Sequence, residues 1–249
     1  MLTLLAVDKQ GTQFREDAFL VEDFSDPPLA PFKKRLTIAS IVPARADKIN
    51  ADDFYANLTR AHGENFFQFL GKGVRADSVF HKENPREAVV VIYDISDDEL
   101  GFRDTVENVA IDSAIVIPHS FEEFVAHASF EDIKRDVELF LKEHEHVWYK
   151  YMLQPHVSSW ETINKAALLV SGILECFNRT LSCYARKKKM PTLVKNGIHL
   201  SFRVHPYAMF SSPARRAEGF VNLTNLLDIL NGRPLTFTRE KLLSLGVDI

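Results

Sequence analysis

The first half of the chain contains short apolar runs, several of which alternate hydrophobic and polar residues as β-strands do. A proline-rich stretch at 24–34 predicts a turn or surface loop between the second and third runs. The predicted strands cover residues 1–8, 18–24, 35–43, 86–96 and 102–118, the last of which holds one or two strands.

Hydrophobic residues recur three or four positions apart in four longer segments, three of which lie in the second half of the chain. We predict a break in the first of these three near Ser129, and a short strand at 199–204. Because strands come early and helices late, we expect an α+β fold in a single domain that spans residues 1–249. The predicted helices cover residues 50–70, 120–153, 158–190 and 208–230.

The start of the last predicted helix combines helix-start signals with two arginines. Ser212 is a suitable N-cap residue, and Pro213 suits the first helical position. This register places Arg215 and Arg216 in the first turn, where the helix dipole disfavours positive charge. Either the two side chains are solvated or paired with a carboxylate such as Glu218, or they bind an anion beside the free backbone N–H groups.

Composition and charge limit the classes of function. The chain has 249 residues, of which 46% are hydrophobic and 26% charged, as in an ordinary soluble globular protein. Its formal net charge is −4, so any nucleic-acid site must be a local basic patch or channel. No signal peptide is visible and no apolar run approaches about 18 residues, so we expect a cytoplasmic protein without a membrane span.

Three acidic residues lie near the first two predicted strands. Asp8 ends the first strand, and Glu16 and Asp17 precede the second. They are either solvated or ligands of Mg²⁺, a hard cation that prefers oxygen. Carboxylates that hold a metal, together with a phosphate-binding arginine such as Arg215, would form a phosphodiester hydrolase site. The sequence contains no P-loop, GxGxxG, GxSxG or HExxH pattern.

Several segments, in order, resemble blocks of the catalytic domain of the ribonuclease II and ribonuclease R family, the RNB domain. The most specific block is YAMFSSPARRAEGF, at 207–220, and the acidic block VDKQGTQFREDAF lies at 7–19. The other matching segments are LTIASIV at 36–42, ENPREAVVVIYDISDDELGF at 83–102, SAIVIPHSFEEF at 113–124 and ILECFNRTLSCYARKKKMPTLVK at 173–195. The ordered set covers most of the chain.

The resemblance implies a mixed, largely antiparallel sheet wrapped by helices, with a channel for single-stranded RNA. It implies hydrolysis from the 3′ end with two Mg²⁺ ions, or Mn²⁺ as the alternative. In this sequence the catalytic residues would be Asp8, Glu16, Asp17 and Arg215, and the first three would hold metal. This interpretation requires the acidic residues to fold against the arginine segment.

The resemblance also implies contacts with RNA. Phe121 would stack on a base, although it could equally be a core aromatic residue. Arg216 would contact a neighbouring phosphate or an acidic partner. Asn178 is either a structural hydrogen-bonding residue or an RNA contact. The residues assigned to RNA binding are Phe121, Lys195, Ser212 and Arg216.

The chain departs from the family pattern at chemically important positions. Phe14 stands where the family has an aspartate and cannot bind a metal. Glu16 replaces another aspartate, and its extra methylene moves the carboxylate by about 1.5 Å. A displacement of about 1 Å can cost about 100-fold in rate. Thr37 and Ser40 replace a histidine and an aspartate, and we expect the accessory RNA-binding barrels of the family to be missing here.

Three functions are therefore considered. The first is a minimal, divergent exoribonuclease that is metal-dependent and slow. The second is a catalytically impaired relative that binds RNA or a protein, with a protein partner or a second copy of the chain replacing the missing barrels. The third is a purely structural subunit. Phe14 favours the second function, whereas the retained Asp8, Asp17 and Arg215 favour the first.

Overall fold

The computed structural model describes most of the chain, and the described part contains seven strands and five helices. The strands are β1 Leu2–Asp8, β2 Asp17–Asp23, β3 Phe32–Ile41, β4 Arg86–Ser96, β5 Val109–Ser120, β6 Val194–Lys195 and β7 Tyr207–Ala208. The helices are α1 Phe121–Val125, α2 Phe130–Glu143, α3 Thr162–Lys187, α4 Ala217–Leu230 and α5 Arg239–Ser244. The described residues are 1–12, 15–23, 32–42, 79–96, 109–143, 162–195, 207–213 and 216–244.

The first five strands form a closed barrel in the order β1-β2-β3-β4-β5. Four neighbouring pairs are antiparallel, and the barrel closes where β1 runs parallel to β5. This closing register extends from Leu2 opposite Ala114 to Asp8 opposite Ser120. The α+β fold with a mixed, largely antiparallel sheet was expected, whereas its closure into a barrel was not.

Alanine is the commonest residue in the interior of the barrel. Alternate strand residues form a buried cluster to which no helix contributes, so this cluster faces the barrel axis. A barrel of five strands is narrow, and alanines alternate in its interior with larger residues such as Leu4 and Ile41. Five alanines belong to this cluster: Ala6, Ala18, Ala39, Ala88 and Ala114.

The opposite face of the strands packs against the helices and forms the main core. Leu36 and Ile38 of β3 are fully buried there with aromatic residues of the helices. Tyr93 of β4 lies edge-on to Phe140, with ring centres 4.9 Å apart. Its hydroxyl lies 2.7 Å from Oγ1 of Thr180 in α3. Barrel and helices therefore share one hydrophobic layer, in which the Tyr93 hydroxyl is hydrogen-bonded to Thr180 Oγ1 and Cys176 O of α3.

The predicted helix break near Ser129 is confirmed, because α1 ends at Val125 and α2 begins at Phe130. Ser120 caps α1: its Oγ accepts a hydrogen bond from Glu123 N, and the Glu123 carboxylate accepts one from Ser120 N. The predicted helix 50–70 and the predicted strand 199–204 lie outside the described residues.

The last large helix begins later than its sequence signals predict. Arg216 is the N-cap of α4, and its side chain makes no capping hydrogen bond. Ser212 has φ of +56°, outside the extended region that N-cap residues adopt. The predictions that Ser212 caps this helix and that Arg216 lies in its first turn are therefore wrong. Arg215 lies outside the described residues.

Gly219 lets α4 approach the backbone that precedes it. A Cβ atom at this position would lie 2.5 Å from the carbonyl oxygen of Ser211. We expect Gly219→Ala to lower the free energy of unfolding by about 1–3 kcal/mol, because backbone must move to relieve the overlap. In most helices the same change stabilises by about 0.5–1 kcal/mol. Urea unfolding followed by circular dichroism measures the difference.

The control for this prediction is Cys183→Ala at an exposed position of α3. Its free energy of unfolding should stay within about 0.5 kcal/mol of the original chain. A Gly219→Ala variant that is more stable than the original chain would contradict the close approach.

Within the described ranges, none of the helices is long and apolar enough to cross a lipid bilayer. The single domain over residues 1–249 and the cytoplasmic location stay predictions, as do the protein partner and the second copy of the chain.

Candidate functional site

A cavity of about 270 Å³ lies between one end of the barrel and helix α3. It brings together four of the residues that the sequence assigned to a site: Asp8, Glu16, Asp17 and Phe121. Helix α3 contributes residues spaced three or four positions apart, which lie on one face of the helix: Ala167, Val170, Ser171 and Leu174. The cavity therefore has an acidic side and a mostly apolar side.

Asp17, at the start of β2, connects the acidic loop to the segment before α4. Its Oδ1 accepts hydrogen bonds from Ser40 Oγ at 2.7 Å and from the backbone N of Ser212 at 3.1 Å. Its Oδ2 accepts one from Ser212 Oγ at 2.9 Å. The acidic segment and the segment that precedes the two arginines are thus in direct contact, as the interpretation of the sequence required. The position of Arg215 itself stays a prediction.

Asp8 and Glu16 complete the acidic side of the cavity. Asp8 ends β1, and its Oδ1 accepts a hydrogen bond from the backbone N of Lys9 at 2.7 Å. Glu16 is almost completely buried, with 1% of its surface exposed. Phe14, which replaces a family aspartate, lies outside the described residues.

The donor set is small for a metal centre. Among the described residues, no group of three or more acidic, histidine or cysteine side chains is placed to hold a metal ion. Oδ1 of Asp17 already accepts two hydrogen bonds, which occupy both of its lone pairs. Mg²⁺ is usually bound by one or two carboxylates and several waters, so Asp8 and Glu16 remain the candidate ligands, and the binding of one or two ions stays a prediction.

Asn178 of α3 holds the chain just before Ser212. Its Oδ1 accepts hydrogen bonds from the backbone N atoms of Phe210 at 2.6 Å and Ser211 at 2.9 Å. Its Nδ2 donates to Leu174 O and to Ser211 Oγ, both at 2.9 Å. The side chain is buried and fully bonded. Of the two roles considered for Asn178, the structural one is found.

Asn222 of α4 fixes the same segment from the other side. Its Nδ2 donates to Met209 O at 2.8 Å and to Leu193 O at 2.9 Å, and its Oδ1 accepts from Leu193 N at 2.7 Å. The sequence pattern did not single out this residue. Polar side chains from β2, α3 and α4 therefore position the segment that leads into the two arginines.

The residues assigned to RNA binding lie in different environments. Phe121 is half-buried: it lines the cavity and also packs against the main core, so its two interpretations are compatible. Ser212 is buried against Asp17. Arg216 is exposed, and one Nη donates to Met209 Sδ at 3.0 Å. Lys195 pairs with Tyr207 in the β6–β7 ladder, and its side chain is outside the described residues.

Arg15 lines the same cavity but was not singled out from the sequence. One Nη donates to the carbonyl of Thr12 at 3.3 Å, and Nε is buried without a hydrogen-bond partner. Burial lowers the pKa of nearby His119, with further lowering from His127 and from the positive charge of Arg15. The available signal was the position of Arg15 inside the acidic block, directly before Glu16.

The chain is similar to known proteins in its fold and only weakly in its sequence. No protein-family model and no curated protein sequence matches the chain. Among solved structures, an active-site mutant of the Dss1 exoribonuclease from Candida glabrata has a TM-score of 0.69 at 14% identity, covering 98% of this chain and 42% of that one.

RNase R from Mycoplasma genitalium is also similar. Its complex with double-stranded RNA has a TM-score of 0.60 at 11% identity, covering 98% of this chain and 60% of that one. Its complex with ribose-methylated single-stranded RNA has a TM-score of 0.60 at 10% identity and covers 98% and 52%. The chain thus has the fold of a distant exoribonuclease-like domain and spans less than two thirds of these proteins' length.

Proposed function

We propose that this chain binds single-stranded RNA in the cavity and hydrolyses it from the 3′ end, as a divergent exoribonuclease of the ribonuclease II type. One observation carries the proposal: Asp8, Glu16, Asp17 and Phe121 meet at a single cavity, and Asp17 contacts Ser212 of the Ser-Pro-x-Arg-Arg segment. The similarity to RNase R, which has been solved with RNA, supports RNA as the substrate class.

Each group has a role in this proposal. Asp8 and Glu16 would hold one divalent ion, Mg²⁺ or Mn²⁺. When bound, such an ion supplies positive charge to the phosphodiester and lowers the pKa of a water molecule. Phe121 stacks on a base, which is worth about 1–3 kcal/mol. Asp17 positions the segment that presents Arg215 and Arg216 to the phosphates.

The second candidate is an RNA-binding domain without catalysis. Two observations favour it: Asp17 uses both oxygens to hold Ser40 and Ser212, and Phe14 removes one carboxylate from the set. The cavity would then bind a 3′ end through Phe121 and the arginines and leave it intact.

The two functions are separated by incubating the purified chain with single-stranded RNA labelled at the 5′ or the 3′ end, with Mg²⁺ or Mn²⁺. Stepwise shortening of the 5′-labelled RNA and early release of the 3′ label are expected. Asp8→Asn should lower the rate by about 100-fold or more, since it removes a charged ligand.

The matched control is Asp112→Asn, an exposed aspartate of β5 outside the cavity lining, which should leave the rate unchanged. RNA binding without any shortened product would support the second candidate. Neither binding nor shortening would contradict both candidates and leave the structural subunit.

A further inference from the structure

Arg15 is a cation within an acidic cavity that does not pair with the acids around it. It shares the lining with Asp8, Glu16 and Asp17. Among the described residues, no carboxylate oxygen lies within ion-pair distance of its guanidinium. To the part of the chain that the structure describes, its side chain donates one long hydrogen bond, to the carbonyl of Thr12. The guanidinium is therefore not the internal counterion of the carboxylates.

The Nε atom of Arg15 is buried and makes no hydrogen bond. A buried donor that lacks a partner is costly, and a ligand that accepts the hydrogen bond recovers that cost. A guanidinium presents its N–H groups as a planar fork that matches two oxygens of a phosphate. An anion at the guanidinium would thus meet a side chain whose hydrogen bonds the protein leaves incomplete.

The formal charges of the side chains that line the cavity also favour a phosphate as the ligand. Among the described lining residues, three carboxylates accompany two basic side chains, Arg15 and Lys9, which gives one net negative charge. One divalent ion would change the local charge to about +1, which matches the single negative charge of a phosphodiester. Without Arg15, the described lining residues and one bound ion would together carry no net positive charge. The charge of Arg15 therefore adds to that of one bound ion in attracting the phosphate.

We propose that Arg15 binds a phosphate of the RNA inside the cavity, and that it supplies the positive charge that a second metal ion would otherwise provide. This inference rests on the proposed function, because it assigns a phosphate-binding residue to the same cavity. It makes binding of RNA in part independent of metal.

The test is fluorescence anisotropy of a 5′-fluorescein-labelled single-stranded oligoribonucleotide with the purified chain, in EDTA and in Mg²⁺. Arg15→Gln is expected to raise Kd about 10-fold or more in EDTA, because a charge-assisted hydrogen bond is lost. The slope of log Kd against log salt concentration should fall by about 0.7, the value for one phosphate contact on a single strand. Arg239→Gln, an exposed arginine of α5 outside the cavity lining, should change neither quantity.

Urea unfolding shows whether Arg15→Gln folds, and Arg15→Lys replaces it where it does not. Lysine keeps the charge but lacks the planar set of N–H groups. We therefore expect the Kd of Arg15→Lys to lie above that of the original chain and, where Arg15→Gln folds, below the Kd of that variant. If the original chain binds and shortens RNA and a folded Arg15 variant has the same Kd and the same salt slope, the role of Arg15 is wrong while the proposed function stands. An original chain that does not bind RNA would overturn this inference and the proposed function together.

Discussion

Replacement of Asp17 by alanine is expected to lower the free energy of unfolding by about 2–4 kcal/mol and to abolish action on RNA. The carboxylate accepts three hydrogen bonds, two from Ser212 and one from Ser40. Hydrogen bonds to a charged group are worth about 1.5–3 kcal/mol each, and alanine would leave the donors without a partner. Urea unfolding followed by circular dichroism gives the loss in stability.

Two variants show where the effect of Asp17 originates. Asp17→Asn keeps one oxygen acceptor for the Ser212 N–H group but loses the charge, so a smaller loss than with alanine is expected. Asp112→Ala is the matched control, since among the described residues this exposed aspartate bonds to Ser113 N and pairs with the amino terminus. Its effect should lie within about 0.5 kcal/mol. Equal stability of Asp17→Ala and Asp112→Ala would contradict the link between β2 and Ser212.

Replacement of Asn178 by alanine is expected to cost about 3–5 kcal/mol, the largest effect of any single change considered. It leaves the buried N–H groups of Phe210 and Ser211 without acceptors, at about 1–3 kcal/mol each. It also removes both hydrogen bonds that Nδ2 donates. The same urea unfolding experiment measures the change.

The control for Asn178 is Asn231, an exposed asparagine at the end of α4 that donates one hydrogen bond to Leu227 O. Asn231→Ala should cost about 1 kcal/mol or less. Because Asn178 and Asp17 hold adjacent residues, the double variant should lose less stability than the sum of the single losses. Strict additivity would show that the two side chains act on independent structures.

The strands were predictable from the sequence because their information is local. In β3 and β4, every second residue faces the helices, namely Leu36, Ile38, Val89 and Val91. The residues between them belong to the other face of the strands, as the period of two requires. Closure of the barrel was not predictable, because the parallel pairing of Leu2 with Ala114 joins distant parts of the chain and has no local pattern. The alanines of the interior are explained only once the barrel is known.

At the site, the resemblance identified side chains that do share a cavity, including Asp8, Glu16 and Phe121. The capping role of Ser212 was wrong because the local signal ignored a distant competitor. The carboxylate of Asp17 binds both the hydroxyl and the backbone N–H group of this serine. Arg15 was overlooked because its position inside the acidic block suggests a role only once the cavity around it is known.

The parallel pairing of β1 with β5 also determines when the barrel can form during synthesis. Ribosomes add about 5–20 residues per second, so β1 emerges roughly 6–22 seconds before its partner around Ala114. During this interval one edge of β1 has unpaired N–H and C=O groups, which can pair with other chains. Nascent protein is therefore most prone to aggregation before β5 has left the ribosome, and a chaperone that shields this edge would raise the yield of folded protein.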